Sequence, residues 1–261
     1  MPALQKRWEI VPPAPAEHVA SFPNLSPLIV QLLYNRQVRT PDEVEAFLDR
    51  RLVLRNPFLL RGMNKAVTRL RQAIRAEEKI AIYGDYDADG VTATALLVST
   101  LKALDAQVVP YIPSRKAEGY GLNNSALGKL ARLGVKVVVT VDCGVRAVEQ
   151  VAFARSLGLD MIITDHHIPP TDLPPAIAVI DPKREDDGYP YKHLAGVGLA
   201  FRLAQSLLRA ESKLRVSKSD ALPKEEDLLD LGALGTVADL APLIGENRTL
   251  VRHGLERLNQ D

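Results

Sequence analysis

The sequence is short of several things, and each shortage excludes a class of protein. It has one cysteine, Cys143, in 261 residues, so neither an internal disulfide nor a zinc site built from several thiolates is available. It has no excess of either charge: 33 Lys and Arg stand against 32 Asp and Glu, a net charge of +1. Coating duplex DNA through global positive charge is thereby excluded, while a local basic groove is not. Aromatic residues are 5% of the chain. No uninterrupted apolar run is long enough to cross a bilayer, and residues 1–20, with prolines at 2, 12, 13 and 15, do not read as a secretory signal. A cytoplasmic protein is the default expectation. Neither repeats nor low-complexity segments occur. The 46% hydrophobic and 25% charged content belongs to an ordinary globular chain, large enough for one large domain or a domain plus an accessory module.

Residues 1–60 read as a small helical element. The run PLIVQLLY (27–34) is an apolar helix, and Thr40-Pro41-Asp42-Glu43 announces another. Thr40 caps it, Pro41 suits its first position and Glu43 completes a capping box. Val44, Phe47 and Leu48 give that helix one apolar face, and Asn56-Pro57 ends the element. From residue 61 the pattern alternates. Helices are expected at 65–78, 91–104, 123–133 and 145–157, and strands at 80–83, 107–112, 136–141, 160–164 and 177–180. That rhythm predicts an α/β fold, a parallel β-sheet flanked by helices. After Asp181 the pattern is helical, at 194–208, 225–234 and 246–258. The polar stretch 211–223 reads as a mobile loop, and residues 255–261 stop in mid-helix pattern without a cap, which suggests a shortened chain.

Acidic residues gather just after strands. Asp85, Asp87 and Asp89 follow the first, Asp142 follows VVVTV, and Asp165-His166-His167 follow MIIT. In an open parallel sheet the carboxyl ends of the strands share one edge, where ligands bind. Carboxylates brought together there repel one another unless cations sit between them. A mixture with imidazole suits Mn2+, Fe2+ or Zn2+ better than Ca2+. An EF-hand reading of residues 85–90 fails, because its twelfth position is Leu96 and a strand precedes it. Asp87-Ala88-Asp89 also resembles the first motif of haloacid-dehalogenase-type phosphatases, but Gly84-Asp85-Tyr86 separate it from the strand. An acidic turn alone is more often a helix cap, and a His pair alone is weak evidence. His18, His193 and His253 have no companions, and Cys143 reads as a small buried residue. Arg115, with the turn Glu118-Gly119-Tyr120-Gly121, suits an anion; a solvated connection explains it nearly as well. Gly196-Val197-Gly198 either lets a nucleic-acid backbone approach or allows tight packing. The start of helix 91–104 lies beside the site, where its positive end would favour a phosphate.

GDYDADG (84–90), VDCG (141–144), TDHH (164–167) and GTVADLAPL (235–243) occur in the order of the DHH phosphoesterase superfamily. RKAEGYGLN (115–123), LAGVGLAF (194–201) and ENRTLVRHGL (246–255) resemble the RecJ-like, single-strand-specific 5′→3′ DNA exonucleases within it. The resemblance runs from about residue 8 to the end. It implies a catalytic DHH domain at 61–261 binding two ions, Mn2+ or Mg2+, through Asp87, Asp89, Asp142, His166 and Asp239, with Asp142 bridging. His167 would lie beside the scissile phosphate, with Arg115, Gly196 and Gly198 on the substrate side. Asp85 is either a ligand or a support behind the ligands, and Asp165 would orient the histidines. Tyr83 stands where many members carry a histidine. The implied function is phosphodiester hydrolysis of single-stranded DNA in repair and recombination, with a single-strand-binding protein or a helicase as candidate partners. A C-terminal substrate-binding domain is expected to be absent from this chain. The alternatives are a DHH phosphodiesterase of short oligonucleotides or nucleotide phosphates, and a non-catalytic replication scaffold.

Overall fold

The computed structural model of the chain describes residues 9–49, 51–52, 54–116, 118–212 and 222–260. They divide into two compact units, Met1–Arg51 and Leu52–Asp261. The division precedes residue 60 because Leu52, Leu54, Phe58 and Leu60 pack against the core of the larger unit.

In the first unit, α1 (Ala16–Ala20), α2 (Pro27–Asn35) and α3 (Pro41–Leu48) surround Leu33, Val38 and Val44. Thr40 and Glu43 form the expected capping box. Val44 is buried and Phe47 packs beside it, but Leu48 is exposed, one position past the inward face.

The second unit is built on five parallel strands. They are β1 (Lys79–Tyr83), β2 (Val108–Tyr111), β3 (Val135–Val141), β4 (Asp160–Thr164) and β5 (Ala178–Ile180), in the order β2-β1-β3-β4-β5. Successive side chains face opposite sides. Ile80, Ile82, Val137, Val139 and Ile162 enter one core, and Ala81, Tyr83, Val138, Met161 and Ile163 the other. The first core is covered by α4 (Met63–Arg75), α5 (Ala88–Ala103) and α8 (Gly196–Ser212), the second by α6 (Asn124–Arg132) and α7 (Val148–Ser156). A 3-10 turn (Glu225–Leu228), α9 (Leu229–Ala238) and α10 (Gly245–Leu258) complete the helical C-terminal part, and α9 packs on α5, α8 and α10.

Several helices begin elsewhere than the sequence suggests, and for two of them a hydrogen bond shows why. α5 starts earlier than residue 91 because the Asp87 carboxylate accepts from Gly90 N at 2.9 Å and caps it. α7 starts later than 145 because Val145 N donates to the Asp165 carboxylate, 2.9 Å away. Of the stretch 211–223, the first two residues belong to α8 and 213–221 lie outside the described residues. α10 does have a closing residue: Asn259 Nδ2 donates to Leu255 O at 2.7 Å. No helix among the described residues is long and apolar enough to cross a membrane.

Strand order 2-1-3-4-5 reverses direction between β1 and β3. The crevice beyond the carboxyl ends of those two strands is where open α/β sheets bind ligands, and Asp85–Asp89 and Asp142 emerge there.

Candidate metal centre

After β1 the chain turns through Gly84 and Asp85 into α5. Asp87 sits at the helix cap and Asp89 in the first turn, buried to 1% exposure. Both Asp89 oxygens are held by α8: Oδ2 accepts from Gly196 N and Oδ1 from Val197 N, each at 2.7 Å. The positive end of α8 therefore faces Asp89. The start of α5, expected to favour a phosphate, is occupied by its own Asp87.

Asp142 ends β3 in a left-handed conformation, φ +60°, a region that asparagine and aspartate tolerate better than most residues. Its backbone N–H donates to Thr164 O, which fixes the turn. The carboxylate is 2% exposed, and Oδ1 accepts no hydrogen bond. His166 Nε2 faces that oxygen at 3.0 Å, and Asp89 Oδ2 lies 3.9 Å from the same nitrogen. Ligand atoms ~2.1 Å from one octahedral cation and at right angles to each other stand ~3 Å apart. Burial, and then Asp87, push the Asp142 carboxyl up to about 8. Burial, and then Asp142, push Asp89 up to about 7.

At the end of β4, Asp165 holds its two successors. Its Oδ1 accepts from His166 N at 2.7 Å and His167 N at 3.1 Å, and meets His167 Nδ1 at 2.7 Å. Burial opposes its charge, but these bonds and that from Val145 N outweigh it and leave its carboxyl below the ordinary range. The bond to Asp165 raises His167 to about 8. His167 lines a cleft of ≈ 270 Å³ with Tyr120, Leu122, Val145 and Gln150. Asp239, at the end of α9, brings Oδ2 to 3.9 Å from His166 Nδ1.

Three overlapping triads gather donor atoms within 4.8 Å of one another: Asp142–His166–His167, Asp89–His166–Asp239 and Asp85–Asp87–Asp142. All six expected catalytic residues, with Asp85, thus form one continuous cluster. The donor set fits a divalent cation, because Asp142 Oδ1 is buried without a hydrogen bond among carboxylates that burial and mutual repulsion drive toward protonation.

The remaining expected residues fall nearby or apart. The Arg115 guanidinium lies over the Tyr86 ring, 5.0 Å from its centroid, and acts electrostatically on Asp85. Gly196 and Gly198 are buried and offer no open approach to a nucleic-acid backbone. A Cβ on Gly196 would lie 2.6 Å from Asp142 Cβ, so glycine there permits close packing against the cluster. Tyr83 faces the α6 side of the sheet, where its hydroxyl donates to Gly121 O at 2.9 Å. Cys143 is buried, and that burial pushes its thiol well up. His18 packs on Phe22 and Tyr34, and His253 pairs with Glu256.

One residue was passed over in the sequence. Asp181 follows β5, is fully buried, and has an Oδ2 without a hydrogen bond. Burial, with Asp165 adding to it, pushes Asp181 up to about 7. The rule that singled out the other aspartates, an acid directly after an apolar strand, applies to it equally.

The chain resembles known proteins in sequence and fold. The profile of the DHH family, N-terminal domain, matches residues 79–236. The single-stranded-DNA-specific exonuclease RecJ of Bacillus subtilis (strain 168) is 45% identical over 264 residues, which span 100% of this chain and 32% of that protein. The chain therefore spans about a third of the length of that curated relative. A crystal structure of exonuclease RecJ bound to manganese superposes with a TM-score of 0.67 at 37% identity, covering 80% of this chain and 50% of that one. RecJ in complex with Mn2+ from Thermus thermophilus gives 0.73 at 31% identity, covering 94% and 33%.

Proposed function

The chain belongs to the DHH family, and on that premise we propose that it hydrolyses phosphodiester bonds of single-stranded DNA from the 5′ end. In this reading Asp87, Asp89, Asp142, His166 and Asp239 hold two divalent ions, Mn2+ or Mg2+. What carries the reading is the buried, hydrogen-bond-free Asp142 oxygen, in a residue shared by triads on both of its sides. Such ions, when bound, supply a water activated near neutral pH and neutralise charge on the phosphate.

The chain's own residues do the rest. Gly196 and Val197 N–H groups fix the Asp89 carboxylate, so its orientation costs nothing during the reaction. Asp165 holds the His167 imidazole by Nδ1 and favours its protonated form, which would present Nε2–H to a phosphate oxygen. Arg115 supplies a forked donor to the same anion from the loop after β2. Asp85, whose Oδ1 accepts from Tyr86 N at 2.7 Å, supports the turn. Single-stranded DNA as substrate is supported by the names of the relatives, which are single-stranded-DNA-specific exonucleases.

The test is a metal titration with a 5′-labelled single strand and the matching duplex. Nucleotides released from the 5′ end of the single strand, dependent on Mn2+ or Mg2+, are expected. No cleavage at any metal concentration, or equal cleavage of the duplex, overturns the reading.

A further inference from the structure

Asn247, the second residue of the segment 246–255, lies between two backbone segments that lead to the candidate metal centre. It lies in the first turn of α10 and is fully buried. Its Nδ2 donates to His193 O at 2.5 Å and to Pro242 O at 3.2 Å. His193 stands three residues before Gly196, whose N–H clamps Asp89, and Pro242 stands three residues after Asp239. One carboxamide therefore ties the segment that delivers the Asp89 clamp to the segment that follows Asp239.

Both tied segments are irregular backbone, one between β5 and α8 and the other between α9 and α10, without a ladder of their own to fix them. The carboxamide has only one workable orientation. Its Oδ1 meets no donor, and a flipped amide would set that oxygen against two carbonyl oxygens. Neighbouring bonds reinforce the tie: Tyr189 OH donates to Glu246, and Tyr191 OH donates to Ile244 O at 2.8 Å.

We propose that Asn247 is a positioning residue that sets the placement of Asp239 against the clamped Asp89, and thereby the affinity of the centre for its cation. The inference rests on the metal reading above. It does not require Asn247 to touch ion or substrate.

The experiment is a calorimetric titration of Mn2+ into the whole chain, with no DNA present. It compares the unaltered protein with Asn247→Asp, Asn247→Ala and Leu130→Ala. Leu130 is buried in the core on the α6 side of the sheet, and its truncation lowers the melting temperature without touching either segment. Both Asn247 variants are expected to weaken Mn2+ binding by about 10-fold or more, the usual effect of removing a group that orients a ligand. Asn247→Asp, nearly the same shape but with an oxygen facing two carbonyls, should weaken it more than Asn247→Ala. Leu130→Ala should bind Mn2+ like the unaltered chain despite melting earlier. The proposal is overturned if the folded Asn247 variants bind Mn2+ as the unaltered protein does, or if Leu130→Ala weakens binding as much. An unaltered chain that binds no Mn2+ overturns the metal reading itself, and this inference with it.

Discussion

Asp142 and Asp165 end neighbouring strands, β3 and β4, and are almost equally buried at 2% and 1% exposure. Their electrical states are opposite. Asp165 is surrounded by three backbone N–H donors and an imidazole, and its carboxyl lies below the ordinary range despite burial. Asp142 has one oxygen without a hydrogen bond, facing the His166 ring, other carboxylates beside it, and a carboxyl pushed up to about 8. Depth therefore does not decide what a buried acid is for; the company of donors does. Asp165 is completed by the protein and serves as a fixed orienting anion. Asp142 is left with an oxygen that a cation could complete.

The strongest way to break this contrast is Asp142→Ala. Cleavage should fall by at least ~10³-fold and Mn2+ binding should largely disappear in calorimetry. Retained metal binding would show that Asp142 is not the shared ligand. Asp165→Asn tests the other side. The charge is lost and an NH2 donor is set against an N–H donor, and unfolding in denaturant should become easier by about 2–4 kcal/mol. The His167 titration followed by NMR should fall back from about 8 toward its ordinary 6.5.

His167→Ala is expected to slow cleavage ~10²-fold while leaving Mn2+ binding intact. Loss of the metal in that variant would exchange the roles given to His166 and His167. The last prediction concerns pH. In the metal-free chain Asp142 takes up protons up to about pH 8, whereas unfolded aspartate does so only below about 3.8. The folded state binds more protons between those values, so this contribution to stability falls as pH rises from 4 to 8. His167 acts in the same sense between 6.5 and about 8. Melting temperature should decline across that window, by ~2–4 °C for each kcal/mol lost. Saturating Mn2+ should oppose the decline, because the cation needs the carboxylates deprotonated. A metal-free melting temperature that rises from pH 5 to 8 would remove the raised Asp142 from the account.

Much of this was legible in the sequence because its signals are local. Apolar runs such as VKVVVTV give the strands, and the acid directly after each run marks the ligand-binding edge. Thr40 caps the helix it precedes, as its capping box announces. The illegible parts depend on partners far along the chain. The start of α7 is delayed by Asp165, and the Asp89 carboxylate is held by the first residues of α8. No pattern within a helix-length window carries such information. Gly196 shows the same limit: the sequence allows either an opening for a nucleic-acid backbone or tight packing, and only the close contact with Asp142 favours packing. Asp181 was legible and overlooked, whereas the tie made by Asn247 required coordinates.

The clamp on Asp89 also has a consequence in time. Its two donors lie 107 and 108 residues further along the chain. During synthesis β1 and α5 emerge long before α8. Until α8 arrives, Asp89 has only water and its neighbouring carboxylates for company, and the strands above it have no covering helix from the C-terminal part. The closure is long-range in sequence, so the centre cannot be complete before α8 has been synthesised. A ribosome-bound chain ending near residue 190 would carry the sheet's acidic edge without the clamp on Asp89, and the centre would assemble only when α8 docks.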